Sequence, residues 1–104
     1  MSQTQTEYGV VWAFRVRPGA AAEFERLYGP DGDWVRLFRR SPGYLGTELW
    51  RDADVTGRYV TIDRWRSRAD CEGFIAGHAQ EYAEIDARGA RLTDFETRLT
   101  RLER

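Results

Sequence analysis

Lysine and asparagine are absent from this 104-residue chain, which has one histidine, His78, one cysteine, Cys71, one methionine and three prolines. A lone cysteine cannot close an internal disulfide, and one cysteine with one histidine cannot supply the ligand cluster of a structural zinc, so no resident metal is expected. No stretch approaches the roughly 18 apolar residues that a membrane span needs. The opening Met-Ser-Gln-Thr-Gln-Thr-Glu lacks both the basic start and the apolar run of a secretory leader. A cytoplasmic protein without a membrane partner is the expectation. Neither sign of charge dominates: 16 basic residues, all arginine, stand against 17 acidic ones along the whole length, for a net charge of -1. No face is therefore expected to draw nucleic acid. The exclusive use of arginine and the missing asparagine suit a GC-rich, bacterial genome.

What is present is a core. Apolar residues make up 41% of the chain, with four Trp, five Tyr and five Phe, too much for a disordered segment. Residues 1–6 read as a flexible tail and 7–104 as one domain, long enough to bury roughly two thirds of its unfolded surface. From Glu7 to Arg17 the alternation puts Tyr8, Val10, Trp12, Phe14 and Val16 on one face and Val11 and Ala13 on the other, a strand apolar on both sides. Pro18-Gly19 ends it. Ala21, Phe24, Leu27 and Tyr28 then form a helical stripe, Gly29, Pro30 and Gly32 interrupt it, and Asp31 or Asp33 caps a second piece carrying Trp34, Leu37 and Phe38.

After the Ser41-Pro42-Gly43 turn, GYLGTELWRD and GRYVTIDRW predict a hairpin joined through Ala53 to Thr56. Ser67, with Asp70 three residues on, opens a helix expected to run to about Gly89, with Cys71, Phe74, Ile75, His78, Tyr82 and Ile85 on one face. TDFETRLTRLE is a partly exposed last strand. The order βαββαβ predicts an α+β, ferredoxin-like fold, an antiparallel four-stranded sheet with strands one and three central and helices on one face. Two helices cover one side only, so a second copy is expected on the other, with Val11 and Ala13 in the interface.

The chemistry-bearing residues are few. His78 lies on the inner helix face four residues after Phe74 and four before Tyr82, where a neutral imidazole relays a proton or binds iron, or is simply packed and hydrogen-bonded to a carbonyl or to Tyr82. Trp65, closing strand three, suits a core or the stacking of a planar ligand. Tyr59 and Tyr82 offer phenol donors that orient a ligand oxygen or make helix-to-sheet contacts. Asp63 is a buried base or, preferably, a carboxylate paired with Arg15. Cys71 is read as core. Gly29 to Asp33 is a lid or a plain loop. Arg64, Arg66 and Arg68 mark solvent.

The first strand ending in VRPG, FERLYGPDGDW, SPGYLGTEL, and TIDRWRSRADCEGF with its W-x-S motif at Trp65 together resemble the antibiotic biosynthesis monooxygenase family of dimeric α+β barrels, over Tyr8 to about Leu99. The resemblance implies a homodimer with a pocket between sheet and helices, oxidising a small aromatic or polycyclic phenol or hydroquinone without a cofactor. His78 would be its base or proton relay, Tyr82 an orienter, and Trp12, Trp65, Phe74 and Tyr59 its walls. The haem-degrading branch of the family implies instead a haem with His78 as axial ligand. That branch uses a first-strand asparagine, and Trp12 stands where it would be. A dimeric ligand-binding module without turnover is the third implication. The geometry predicts Trp65 and His78 facing one cavity, with Trp12 and Tyr82 on its wall.

Overall fold

The computed structural model describes residues 6–104; the expected tail, apart from Thr6, lies outside the described residues. The elements are β1 (Tyr8–Val16), α1 (Ala21–Tyr28), α2 (Asp33–Phe38), β2 (Tyr44–Arg51), β3 (Arg58–Trp65), α3 (Arg68–Gly77), α4 (Ala79–Ala90) and β4 (Thr93–Glu103). The strands form one antiparallel sheet in the order β2-β3-β1-β4, so β1 and β3 are central as their two-sided apolar pattern requires. This is the α+β, ferredoxin-like arrangement that the element order predicts.

Register fixes what each face carries. Tyr8 pairs with Trp65, Val10 with Asp63, Trp12 with Thr61 and Phe14 with Tyr59, so these side chains share the helix-covered face. The alternate set, Val11 opposite Ile62 and Ala13 opposite Val60, lies on the far face. The core lies between sheet and helices around Phe24, which is fully buried and whose ring stacks on Tyr28 at 4.2 Å and meets Phe14 edge-on at 5.2 Å.

Two local expectations are corrected. The long second helix is two helices, broken at His78, whose backbone sits at φ -129, ψ 33. An unbroken helix would bond the His78 N–H to the Phe74 carbonyl. Here the His78 Nδ1 takes that carbonyl at 2.8 Å while its N–H shifts to the Ile75 carbonyl at 3.2 Å. A side chain thus replaces a backbone bond, next to Gly77, which is a poor helix former. At α2 neither Asp31 nor Asp33 caps; the N-cap is Gly32, and Asp33 instead pairs with Arg36 and with Arg88 at 2.5 Å. The α1–α2 connection turns tightly at Gly32, where a Cβ would collide with the Leu27 carbonyl. The Ser67 cap forms as predicted, its Oγ accepting from the Asp70 N–H at 3.1 Å.

Candidate functional site

Between sheet and helices lies a crevice lined by Trp12, Phe14, Thr61, Asp63 and Glu96 from the strands and by Tyr28, Trp34, Phe38, Tyr82 and Asp86 from the helices. Its open volume of about 40 Å³ has room for two or three waters at roughly 10–15 Å³ each. The strand residues make its floor and the helix residues its roof. On the roof Trp34 packs edge-on against Tyr82 at 4.7 Å and lies 6.2 Å from the Tyr28 ring.

The floor carries one unusual group. Asp63 projects from a central strand into an aromatic surround, and its one side-chain hydrogen bond comes from Thr47 Oγ1 at 2.7 Å. Thr47 in turn contacts the Tyr44 hydroxyl at 2.5 Å. Among the described residues no cation compensates Asp63, and burial pushes its carboxyl up to about 6 against the Thr47 bond that favours the charged form. The expected pairing with Arg15 does not occur, because Arg15 stands at the opposite parity of β1 and is exposed on the far face. Glu96 is also held above the usual carboxylate range, by burial and by Asp86. Burial pushes the Tyr82 phenol up to about 12, so it stays protonated and able to donate.

The sequence-predicted residues divide into two groups. Trp12 and Tyr82 meet in the crevice. Trp65, Phe74 and His78 form an adjoining aromatic stack in which Trp65 is 1% exposed, lies 5.9 Å from Phe74 and 5.2 Å from Phe38, and Phe74 stacks on the His78 ring at 3.9 Å. The predicted single cavity shared by Trp65 and His78 is therefore corrected: neither lines the crevice, because the break at His78 turns its ring onto Phe74. Tyr59 is buried elsewhere, 4.9 Å from Phe24, with its hydroxyl donating to Glu25. Cys71 is buried, its thiol pushed up to about 12 by burial. Arg64, Arg66 and Arg68 pair with Glu7, Asp70 and Glu72 near the surface.

Sequence reasoning gave no role to Trp34, Tyr28, Asp86 and Glu96. A signal existed for Asp63: it is the one carboxylate in the inward row Tyr59, Thr61, Asp63, Trp65, and such a group in an apolar row is either paired or functional.

A four-stranded antiparallel sheet with helices on one face defines an α+β, ferredoxin-like protein, and the aromatic crevice between the two layers is its candidate site. The family description that matches residues 7–82 is antibiotic biosynthesis monooxygenase, and the chain belongs to that family. It is 33% identical over 89 residues, covering 81% of this chain and 82% of the relative, to a mycobilin-producing heme oxygenase of Mycobacterium tuberculosis. Among solved structures it resembles SnoaB, a cofactor-independent oxygenase from Streptomyces nogalater, with TM-score 0.73, 25% identity, and 91% of this chain and 92% of that one covered. It also resembles a monooxygenase-family protein from Caulobacter crescentus, with TM-score 0.73, 22% identity and 97% and 92% coverage.

A haem does not fit this crevice. At about 40 Å³ the crevice admits neither a porphyrin nor a single aromatic ring without movement of its walls, so the lining residues decide. Asp63, Asp86 and Glu96 line it and would repel the propionates of the porphyrin, while His78 lies outside the lining.

Proposed function

We propose that this protein is a cytoplasmic, cofactor-independent oxygenase that oxidises an uncharged aromatic phenol or hydroquinone in the crevice. The observation that carries the reading is Asp63, a carboxyl with no cationic partner on the floor of an aromatic-walled crevice, titrating at about 6. Such a group is ionised at neutral pH yet basic enough to take a phenol proton efficiently. The Asp63 carboxylate accepts the substrate hydroxyl proton, and the phenolate passes an electron to dioxygen. Combination at a ring C–H carbon followed by loss of water gives the quinone. The balance is phenol plus O₂ to quinone plus H₂O, a four-electron oxidation matched by the four-electron reduction of dioxygen. Tyr82 donates a hydrogen bond to a substrate oxygen, and Trp12 stacks on its ring. Half-buried Trp12 and Tyr82 turn aside to admit the ring, since the open volume of about 40 Å³ is too small for one.

Oxygen uptake with a panel of naphthohydroquinones tests the reading. Catalysed uptake is expected, with kcat/KM rising as pH passes about 6, because only ionised Asp63 accepts a proton. Uptake no faster than in buffer for every member, or a rate that ignores pH between 5 and 7, sinks it.

In this reading His78 holds the α3–α4 junction through the Phe74 carbonyl. His78→Ala is expected to cost about 1 kcal/mol of stability and to leave oxygen uptake within about twofold. Haemin added to the wild type should give no Soret shift that His78→Ala abolishes, and such a shift would restore the haem reading suggested by the Mycobacterium relative.

We infer also that two copies pack sheet to sheet. The helix-free face presents Val11, Ala13, Val60 and Ile62 at its centre, with Trp50 59%, Phe95 57% and Leu102 47% exposed around them. An apolar surface of this kind on an isolated chain marks an interface. Sedimentation should give twice the mass of one chain, and Ile62→Arg should give the monomer. A wild type that stays monomeric at micromolar concentration refutes it.

A further inference from the structure

The roof of the crevice holds a buried donor with no well-formed hydrogen bond. Trp34 is 7% exposed, and its Nε1 is buried without a hydrogen-bond partner. It is the one buried side-chain polar atom so left among the described residues. The Tyr28 hydroxyl is close enough for the indole N–H to favour its ionised form, but the pair does not reach the geometry of a normal hydrogen bond. Burial holds the Tyr28 phenol well above its usual range, so that hydroxyl stays protonated too. Native proteins leave few such groups, because an unmet buried N–H is costly, and one that persists calls for a partner. Both residues line the crevice from its helix side, and Asp63 lines it from the sheet.

We propose that Trp34 is a specificity-determining residue whose indole N–H takes up an oxygen of the bound aromatic, so that the crevice selects ring compounds bearing a carbonyl or hydroxyl on the roof side over the parent hydrocarbon. The proposal rests on the crevice being the substrate site. It adds a second point of recognition: Asp63 on the floor receives the ionising hydroxyl, and Trp34 on the roof, with Tyr28 beside it, receives the far oxygen. Two contacts on opposite walls fix the ring within the crevice, as one cannot. A site built to donate also rejects the analogue lacking the acceptor, because the buried N–H is then left unpaired.

The test uses two inert probes of nearly equal size, 1-indanone, which has a carbonyl, and indane, which has none. In wild-type protein labelled with ¹⁵N, 1-indanone should move one indole N–H resonance downfield, the resonance missing from Trp34→Phe, and indane should not. Trp34→Phe keeps an aromatic ring in place and should bind 1-indanone about tenfold more weakly while binding indane as the wild type does. Equal affinity of the variant for 1-indanone, an equal indole shift with indane, or no binding of 1-indanone overturns the proposal. Neither probe carries a hydroxyl to deprotonate, so the outcome is independent of whether oxygen uptake is ever observed.

Discussion

Asp63→Asn is expected to make the protein more stable and to silence it. A carboxyl raised from 3.8 to about 6 in the folded state binds its proton more tightly folded than unfolded. Between those two values the native state holds more protons, and stability falls as pH rises. Above about pH 6 the whole penalty applies, about 3 kcal/mol at most by the 1.36 kcal/mol per pH unit of linkage. Asparagine keeps an acceptor for Thr47 and carries no charge. The variant should therefore gain about 1–3 kcal/mol at pH 7, or roughly 5–15 °C in Tm for a domain of this size. The gain should shrink to about 0.5 kcal/mol at pH 4 and vanish by about pH 3, where Asp63 is protonated in both states. Loss of the base should lower kcat by about 10²–10⁴-fold. Thermal melts at pH 4 and pH 7 with oxygen uptake at pH 7 check all three. A variant less stable than wild type at pH 7 would mean that Asp63 has a compensating partner after all.

Trp65→Ala should do the opposite, unfolding much of the protein at growth temperature. The indole is 1% exposed and packed among Phe38, Tyr44 and Phe74 with ring centres at 5.2, 5.3 and 5.9 Å. Truncating a ring so enclosed leaves a void, at about 3–5 kcal/mol, against a total stability of about 5–15 kcal/mol. Trp12→Ala, which opens onto the crevice and starts half-buried, should cost less stability and act on ligand affinity. Urea unfolding of both variants decides whether the two tryptophans differ in this way. Equal losses would put Trp12 in the packed core as well.

The strands, their order and the inward row of β1 were legible because period two survives any packing detail: Tyr8, Trp12 and Phe14 face the helices as the alternation requires. The helix-to-sheet geometry was less so. His78 fits the apolar stripe of an ideal 3.6-residue helix, and only the competition of its own ring for the Phe74 carbonyl, a three-dimensional event, ends that helix and redirects the stripe. Trp34 is one more apolar position in a stripe until the fold shows that its N–H has no acceptor. Asp63 could be placed on the inner face by parity, but whether an arginine reached it depended on parity in the neighbouring strand, which puts Arg15 on the other side.

The pairing of β1 with β4 bears on how the chain reaches this state. Tyr8 lies opposite Glu103 and Val16 opposite Thr93, and Arg104 reaches back to Glu7 at 3.3 Å. A central strand near the start of the chain thus waits for partners some 80 to 95 residues later, and closing so long a loop before any reward places this sheet among the slower topologies. Until residues 93–103 have been synthesised, one edge of β1 stays bare, its N–H and C=O groups open to another strand. The helices and the β2–β3 hairpin form from local contacts and can precede it. The nascent chain is therefore most exposed to misassembly just before its last strand arrives, and a fusion that delays or strains β4 should lower soluble yield more than one inserted at the Ala53 to Thr56 loop.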